Sequence, residues 1–158
     1  MLNFVFHEPK IPGNTGNAIR LSACTGARLH LIEPLAFDFS DTHLKRAGLD
    51  YHDLADVVIH PSWEAAKDYF GTEARIFAYT SHTTKNYADI SYQDGDILLF
   101  GTEPTGLPDE VLTDPRVTMQ VRIPMLPSRR SLNLANSAAI VVYEAWRQLN
   151  FPGAAPIS

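Results

Sequence analysis

Short apolar runs alternate with stretches of helical periodicity along the whole chain. Leu2–Phe6, Leu29–Ile32, Val57–Ile59, Arg75–Tyr79, Ile97–Phe100 and Met119–Ile123 read as buried strands, because each is a brief run rich in branched and aromatic side chains. Between them the pattern predicts helices over about 15–26, 41–48, 62–70, 108–112 and 133–149. Ser62 after Pro61 suits an N-cap, and Pro108 followed by Asp109 and Glu110 suits a first helical turn. Strands in alternation with helices imply an α/β domain with a largely parallel sheet and flanking helices. The expectation is one domain over 1–158, with about 151–158 as a loose tail.

The last helix carries two apolar strips. Leu134, Ala138, Val141, Ala145 and Leu149 form the stripe expected to pack on the sheet. Ile140, Tyr143 and Trp146 form a second. Either the helix is covered on both sides within one chain, or the second strip meets a symmetry mate in a homodimer.

Composition narrows the class. A single cysteine, Cys24, excludes an internal disulfide and a cysteine-based metal site. None of the six histidines falls at helical i, i+4 spacing, so no metal is expected. No apolar stretch reaches the roughly 18–20 residues of a membrane span, and the start lacks the pattern of a signal peptide. A soluble cytoplasmic protein without membrane contact is expected. The net charge of −5 argues against binding nucleic acid through bulk electrostatics. That charge is unevenly spread. Residues 1–30 hold three basic side chains and one acidic, residues 31–114 five and sixteen, and residues 115–158 five and one. Nine of the thirteen cations are arginines, whose planar fork suits phosphate or carboxylate.

Three polar or glycine-rich loops follow predicted strands, where ligands bind in open α/β sheets. In the first, Asn14, Asn17 and Arg20 recur at three-residue spacing, which places them on roughly one face near a helix start. That is either a phosphate seat or a cap with a solvated arginine. The second, Gly101–Pro108, lacks the pattern of a Walker loop or a dinucleotide fingerprint. Its glycines allow close approach to a flat ligand, and Glu103 offers an anion; a common turn would look the same. In the third, Ile123-Pro124-Met125 leads through Arg129 and Arg130 to Ser131-Leu132-Asn133. Ser131 reads as a cap or a pocket residue, and two arginines beside the positive end of a helix dipole, where cations are disfavoured, are either a functional pair or an ordinary solvated one.

Together these loops resemble the SPOUT superfamily of RNA methyltransferases. The motifs appear in order as Asn14-x5-Arg20, Gly101-x-Glu103-x-x-Gly106-Leu107-Pro108, and Ile123-Pro124-Met125 with Ser131-Leu132-Asn133-Leu134. Arg46–His52 and Val142–Gln148 look like the minimal single-domain branch that 2′-O-methylates the wobble cytidine or uridine of tRNA. The resemblance implies a C-terminal trefoil knot, a homodimer, S-adenosylmethionine as cofactor and tRNA as substrate. By motif match, Tyr79, Gly101, Glu103, Ile123, Leu126, Ser131 and Leu132 would hold the cofactor. Asn14, Arg20, Arg129, Arg130 and Asn133 would face the RNA, with Arg20 beside the target ribose as the catalytic residue, supplied across the dimer. Pro104 and Thr105 depart from the family pattern, which commonly has a small hydroxyl residue followed by a basic one; Arg129 replaces a residue that is often serine. Rival readings are the same chemistry on ribosomal RNA or another tRNA position, a non-catalytic RNA-binding protein, and a flavodoxin-like nucleotide binder.

Overall fold

The computed structural model describes residues 1–38, 56–128 and 131–157. The expected helix 41–48, the Arg46–His52 segment, Arg129 and Arg130 lie outside the described residues.

Six strands form one parallel sheet: β1 (Asn3–His7), β2 (Arg28–Ile32), β3 (Val58–His60), β4 (Ile76–Tyr79), β5 (Ile97–Phe100) and β6 (Met119–Val121). Their order across the sheet is β3-β2-β1-β5-β4-β6. The helices are α1 (Pro12–Thr25), α2 (Trp63–Phe70), α3 (Asp109–Leu112) and α4 (Leu134–Gln148), and a short 3-10 helix spans Tyr87–Asp89.

β4 and β5 are apolar and buried along their whole length because both sheet faces are covered there. On one face, Phe4, Phe6, Leu29, Leu31, Phe77, Leu98 and Phe100 pack in one cluster with Ala18 and Ile19 of α1 and Ala138, Val141 and Ala145 of α4. On the other, Val5, Ile32, Ile76, Ala78, Ile97 and Leu99 pack with Trp63 and Ala66 of α2 and Val111 and Leu112 of α3.

Helix ends depart from expectation where distant residues supply the partners. The helix expected from 15 begins at Pro12, with Ile11 as an N-cap that offers no side-chain bond. Pro12 is preorganised for a first turn, and backbone N–H groups at its entrance reach the Glu103 carboxylate instead, Lys10 at 3.0 Å and Ile11 at 3.3 Å. Asn14 therefore caps nothing. α1 stops at Gly26, whose left-handed φ of 80° lets its N–H reach Ser22 O. Ser62 does cap α2, its Oγ accepting from Ala65 N at 3.1 Å. α4 is capped by Asn133, which accepts from Asn136 N, and not by Ser131.

The expected apolar stripe of α4 is buried, apart from a partly covered Leu149. Of the second strip, Trp146 packs partly against the core, whereas Ile140 is 36% exposed and Tyr143 44%. The start of the tail is held rather than loose. Phe151 packs edge-on against Trp146 at 5.2 Å between ring centroids, and Trp146 Nε1 donates to Pro152 O at 3.0 Å.

Candidate cofactor and nucleic-acid site

The sheet order reverses direction between β1 and β5, and the loops leaving the carboxyl ends there open a crevice. A cavity of about 330 Å³ occupies it, walled by the segments after β1, β4, β5 and β6 and by the start of α4. That volume suits a nucleoside-sized ligand.

Aromatic rings line its base. Tyr79 stacks on Phe100 at 4.7 Å between ring centroids, and both line the cavity. The Tyr79 hydroxyl bonds Tyr92 Oη at 2.8 Å. Burial, reinforced by Tyr92, pushes the Tyr79 phenol well above its ordinary range, so it stays neutral.

The loop after β5 doubles back on itself. Thr102 and Gly106 exchange backbone hydrogen bonds at 3.3 and 2.7 Å, and Thr102 Oγ1 donates to His7 O at 2.7 Å. Only glycine fits at position 101, because a Cβ there would stand 2.2 Å from Gly106 C and Leu107 N. Gly106 takes a left-handed φ of 77°. The result is exposed main chain along one cavity wall, able to approach a flat ring.

Three loops are tied together by one polar chain. Glu103 accepts from Asn14 Nδ2 at 2.8 Å, besides the N–H groups of Lys10 and Ile11. Asn133 Nδ2 donates to Asn14 Oδ1 at 2.9 Å, while Asn133 Oδ1 caps α4. Burial works to raise the Glu103 carboxyl, but bonds from Asn14 and the backbone outweigh it and hold the group below the usual carboxylate range. Glu103 therefore lines the cavity as a charged tie between loops, its two oxygens already engaged.

Tyr79, Gly101, Glu103, Ile123, Ser131 and Leu132, expected at the cofactor, and Asn14 and Asn133, expected at the RNA, all line one cavity. Two expected residues do not. Leu126 is 70% exposed and outside the cavity wall, where Met125 stands instead. Arg20 lies on the exposed side of α1, away from the buried Asn14, so the two do not share a face. Six residues turn the helix through 240° rather than a whole number of turns. Thr80, Ser81 and His82 also line the cavity. They are a polar run directly after a strand, the same signal that singled out the other three loops.

Residues 1–143 match the SpoU rRNA methylase family. The chain belongs to this family. It is 51% identical over 154 residues to the tRNA (cytidine(34)-2′-O)-methyltransferase of Escherichia coli K12, covering 98% of each chain. It is similar to a solved structure concerned with 2-OH methylation of C/U34 on tRNA, at 43% identity and a TM-score of 0.86, over 95% of this chain and 97% of that one. It also resembles the SpoU methyltransferase AviRb from Streptomyces viridochromogenes in complex with AdoMet, at 29% identity and a TM-score of 0.82, over 95% of this chain and 58% of that one. The trefoil knot is the threading expected of this fold.

Proposed function

We propose that the protein transfers a methyl group from S-adenosylmethionine to the ribose 2′-hydroxyl of nucleotide 34 of tRNA. The observation that carries this reading is the end-to-end 51% identity to an enzyme of that activity, joined to a cavity built from the three motif loops.

The residues present fit the cofactor. An adenine ring needs a flat apolar slot with backbone polar groups at its edge, and the cavity has apolar Phe100, Leu107 and Ile123 beside the open main chain of Gly101–Gly106. Tyr79, Gly101, Ile123, Leu132 and Ser131 would hold it. When bound, it supplies an activated methyl on a sulfonium leaving group. The chain's own task is then mainly to position the acceptor, and orientation of this kind is worth about 7–11 kcal/mol when geometry is good. Glu103, Asn14 and Asn133 keep three walls in register. Leu126 belongs to the third loop outside the cavity wall, and Arg129 and Arg130 are assigned to contact with RNA phosphate.

Arg20 is assigned to orienting the target ribose and its neighbouring phosphate, because a guanidinium keeps its proton and cannot serve as a base. Its place outside this chain's own cavity wall accords with supply from a second copy. The uncovered strip of Ile140 and Tyr143 beside Trp146, with rings of the latter two 5.5 Å apart, is the face proposed to join two copies into a homodimer. The working unit is one such domain per chain, acting in the cytoplasm. No helix among the described residues is long and apolar enough to cross a membrane, and no described cluster could hold a metal.

Mass mapping of tRNA from a strain lacking the gene, with and without the gene restored, tests the reading. A 2′-O-methyl group at position 34 that returns with the wild-type gene is expected. Methylation at another tRNA position or on ribosomal RNA would replace the substrate, and no ribose methylation would leave a non-catalytic binder. The Arg20→Lys variant should lose most activity at every pH if the guanidinium fork matters; near-normal turnover would remove Arg20 from this role.

A further inference from the structure

Tyr79 closes β4 and, stacked on Phe100 with 12° between the ring planes, forms the base of the cavity. What holds the ring there lies behind it, outside the cavity wall. Tyr92 is 5% exposed, packs edge-on against Phe77 at 5.8 Å between ring centroids, and meets the Tyr79 hydroxyl at 2.8 Å. Its Oη also lies 3.1 Å from Tyr87 O. Tyr87 opens the 3-10 helix, which Asn86 caps by accepting from Ala88 N at 2.9 Å, and Tyr87 N donates to Arg122 O at 2.9 Å. The main chain around Tyr92 is pinned by the end of α4. Tyr92 N donates to Gln148 Oε1 at 2.8 Å, and Gln148 Nε2 donates to Ile90 O at 2.9 Å.

The direction of the protons follows from this geometry. A carbonyl oxygen only accepts, so the one proton of Tyr92 is committed to Tyr87 O. Tyr92 Oη can then meet Tyr79 only as an acceptor, and the Tyr79 O–H donates to it. Burial raises both phenols, that of Tyr92 to about 12, so both protons are in place near neutral pH. Tyr79 therefore keeps no donor for the cavity. It offers a ligand its ring, and its hydroxyl is satisfied only while Tyr92 accepts from it.

We infer that Tyr92 is a positioning residue for the cofactor: by accepting the Tyr79 proton behind the cavity, it holds the Tyr79 ring flat on Phe100 as an apolar base. This rests on the function proposed above, and Tyr92 lies outside all three motif loops. Without the Tyr92 hydroxyl, the Tyr79 O–H has no acceptor in the buried base and is satisfied only by turning toward solvent in the crevice. A ligand that fills the crevice must then leave it unpaired. The cost of a buried, unpaired hydroxyl thereby falls on binding and not on folding alone.

The test compares wild type with Tyr92→Phe, which removes the acceptor, and Tyr79→Phe/Tyr92→Phe, which removes the stranded hydroxyl as well. Both keep the packed rings. Calorimetry measures binding of S-adenosylmethionine, filter binding measures tRNA, and thermal unfolding without ligand reports stability. Tyr92→Phe should bind S-adenosylmethionine about tenfold more weakly, the size of one buried hydroxyl left without a partner, with no comparable loss for tRNA. The double variant should bind it several-fold more tightly than Tyr92→Phe, although a second hydroxyl is gone. A role in folding alone predicts otherwise: Tm falls, and the double variant binds no better than the single. That result overturns the inference, as does wild-type affinity in Tyr92→Phe. Should Tyr92→Phe not fold, hydroxyl-proton exchange in wild type by NMR decides. Both tyrosine protons should exchange slowly with and without S-adenosylmethionine, and a freely exchanging Tyr79 proton overturns the inference. If wild type bound no S-adenosylmethionine, the proposed function would fall and this inference with it; normal wild-type binding with an inert Tyr92 removes this inference alone.

Discussion

Acid should unfold this protein through a buried pair of histidines. His30 on β2 and His60 on β3 face the same side of the sheet, because β2 and β3 pair in parallel with Ile32 opposite His60. The rings stack at 5.2 Å between centroids, enclosed by Tyr69 and Phe70 of α2. His30 Nε2 bonds Asn3 Oδ1 at 2.9 Å, and His30 Nδ1 meets His60 Nε2 at 3.0 Å. An amide oxygen only accepts, so His30 carries its proton on Nε2, leaving Nδ1 to accept from His60. A proton added to His30 Nδ1 would face the His60 N–H and break this chain. Burial first, then His60 and Arg28, lowers the His30 pKa to about 3, and burial lowers His60 as well.

The sign follows directly. Between the unfolded value near 6.5 and the folded value of about 3, only the unfolded chain binds the proton, so stability is complete above pH 6.5 and falls as pH falls. At about 1.4 kcal/mol per pH unit, His30 alone removes about 2 kcal/mol on going to about pH 5. For a chain of this size that is a drop of about 4–8 °C in Tm. His60 acts in the same direction, and so does His7, whose pKa burial also lowers. Urea unfolding from about pH 8 to 5, at fixed protein concentration, should show the midpoint falling below about pH 6.5. The His30→Leu/His60→Leu double variant removes the pair without leaving one nitrogen facing none, and its midpoint should change much less. A double variant with the wild-type pH dependence would refute the reasoning.

Asp96 is 3% exposed and accepts from Arg75 Nε and Nη2 at 2.9 and 2.6 Å and from Gln93 N at 2.7 Å. Asp96→Asn should cost about 3 kcal/mol by leaving the guanidinium without its counter-charge, read as a clear fall in Tm; an unchanged Tm would deny the pair a structural role. Gly101→Ala places a methyl 2.2 Å from the returning main chain of Gly106 and Leu107, so the loop must open. Calorimetry should then find S-adenosylmethionine affinity reduced at least about tenfold, since that wall is backbone; wild-type affinity would mean the loop does not touch the ligand. With a net charge of −5 and no lysine or arginine among the described residues of the cavity wall, the slope of log K for tRNA against log salt should be no steeper than about −4, or roughly four phosphate contacts. A slope near −8 would point to a broad basic surface instead.

The strands were legible because a sheet covered on both faces writes itself as continuous apolar runs, and α2 was legible because Ser62 caps it locally. The start of α1 and the cap of α4 were placed less well for a physical reason. The N–H groups at the entrance of α1 are satisfied by Glu103, some 92 positions away, so nothing beside Pro12 in the chain advertises the true start. Ser131 and Asn133 are both capping residues by type and both line the cavity, and only their geometry shows that Asn133 is the cap. The site was legible as three loops but not as a mechanism of assembly. Each motif suggests a ligand contact, whereas Glu103, Asn14 and Asn133 bond mainly to one another. His30 and His60 are isolated letters thirty positions apart until strand register brings them together.

The acidity of the middle segment now takes a different meaning. Asp96 is spent on Arg75, Asp114 on Lys67 and the Trp63 indole, and Glu103 on Asn14 and the entrance to α1. Each is an internal tie that joins separate segments, and each hydrogen bond it accepts reduces the field it projects outward. An acidic chain can therefore still admit RNA at one crevice, provided that the crevice itself is not anionic. Among the described residues the one carboxylate in its wall is Glu103, which is already met by three donors. Selection among RNAs then rests on fit to this cavity and on a few charged contacts, so removing one of them should change affinity more than any change in the net charge of the chain.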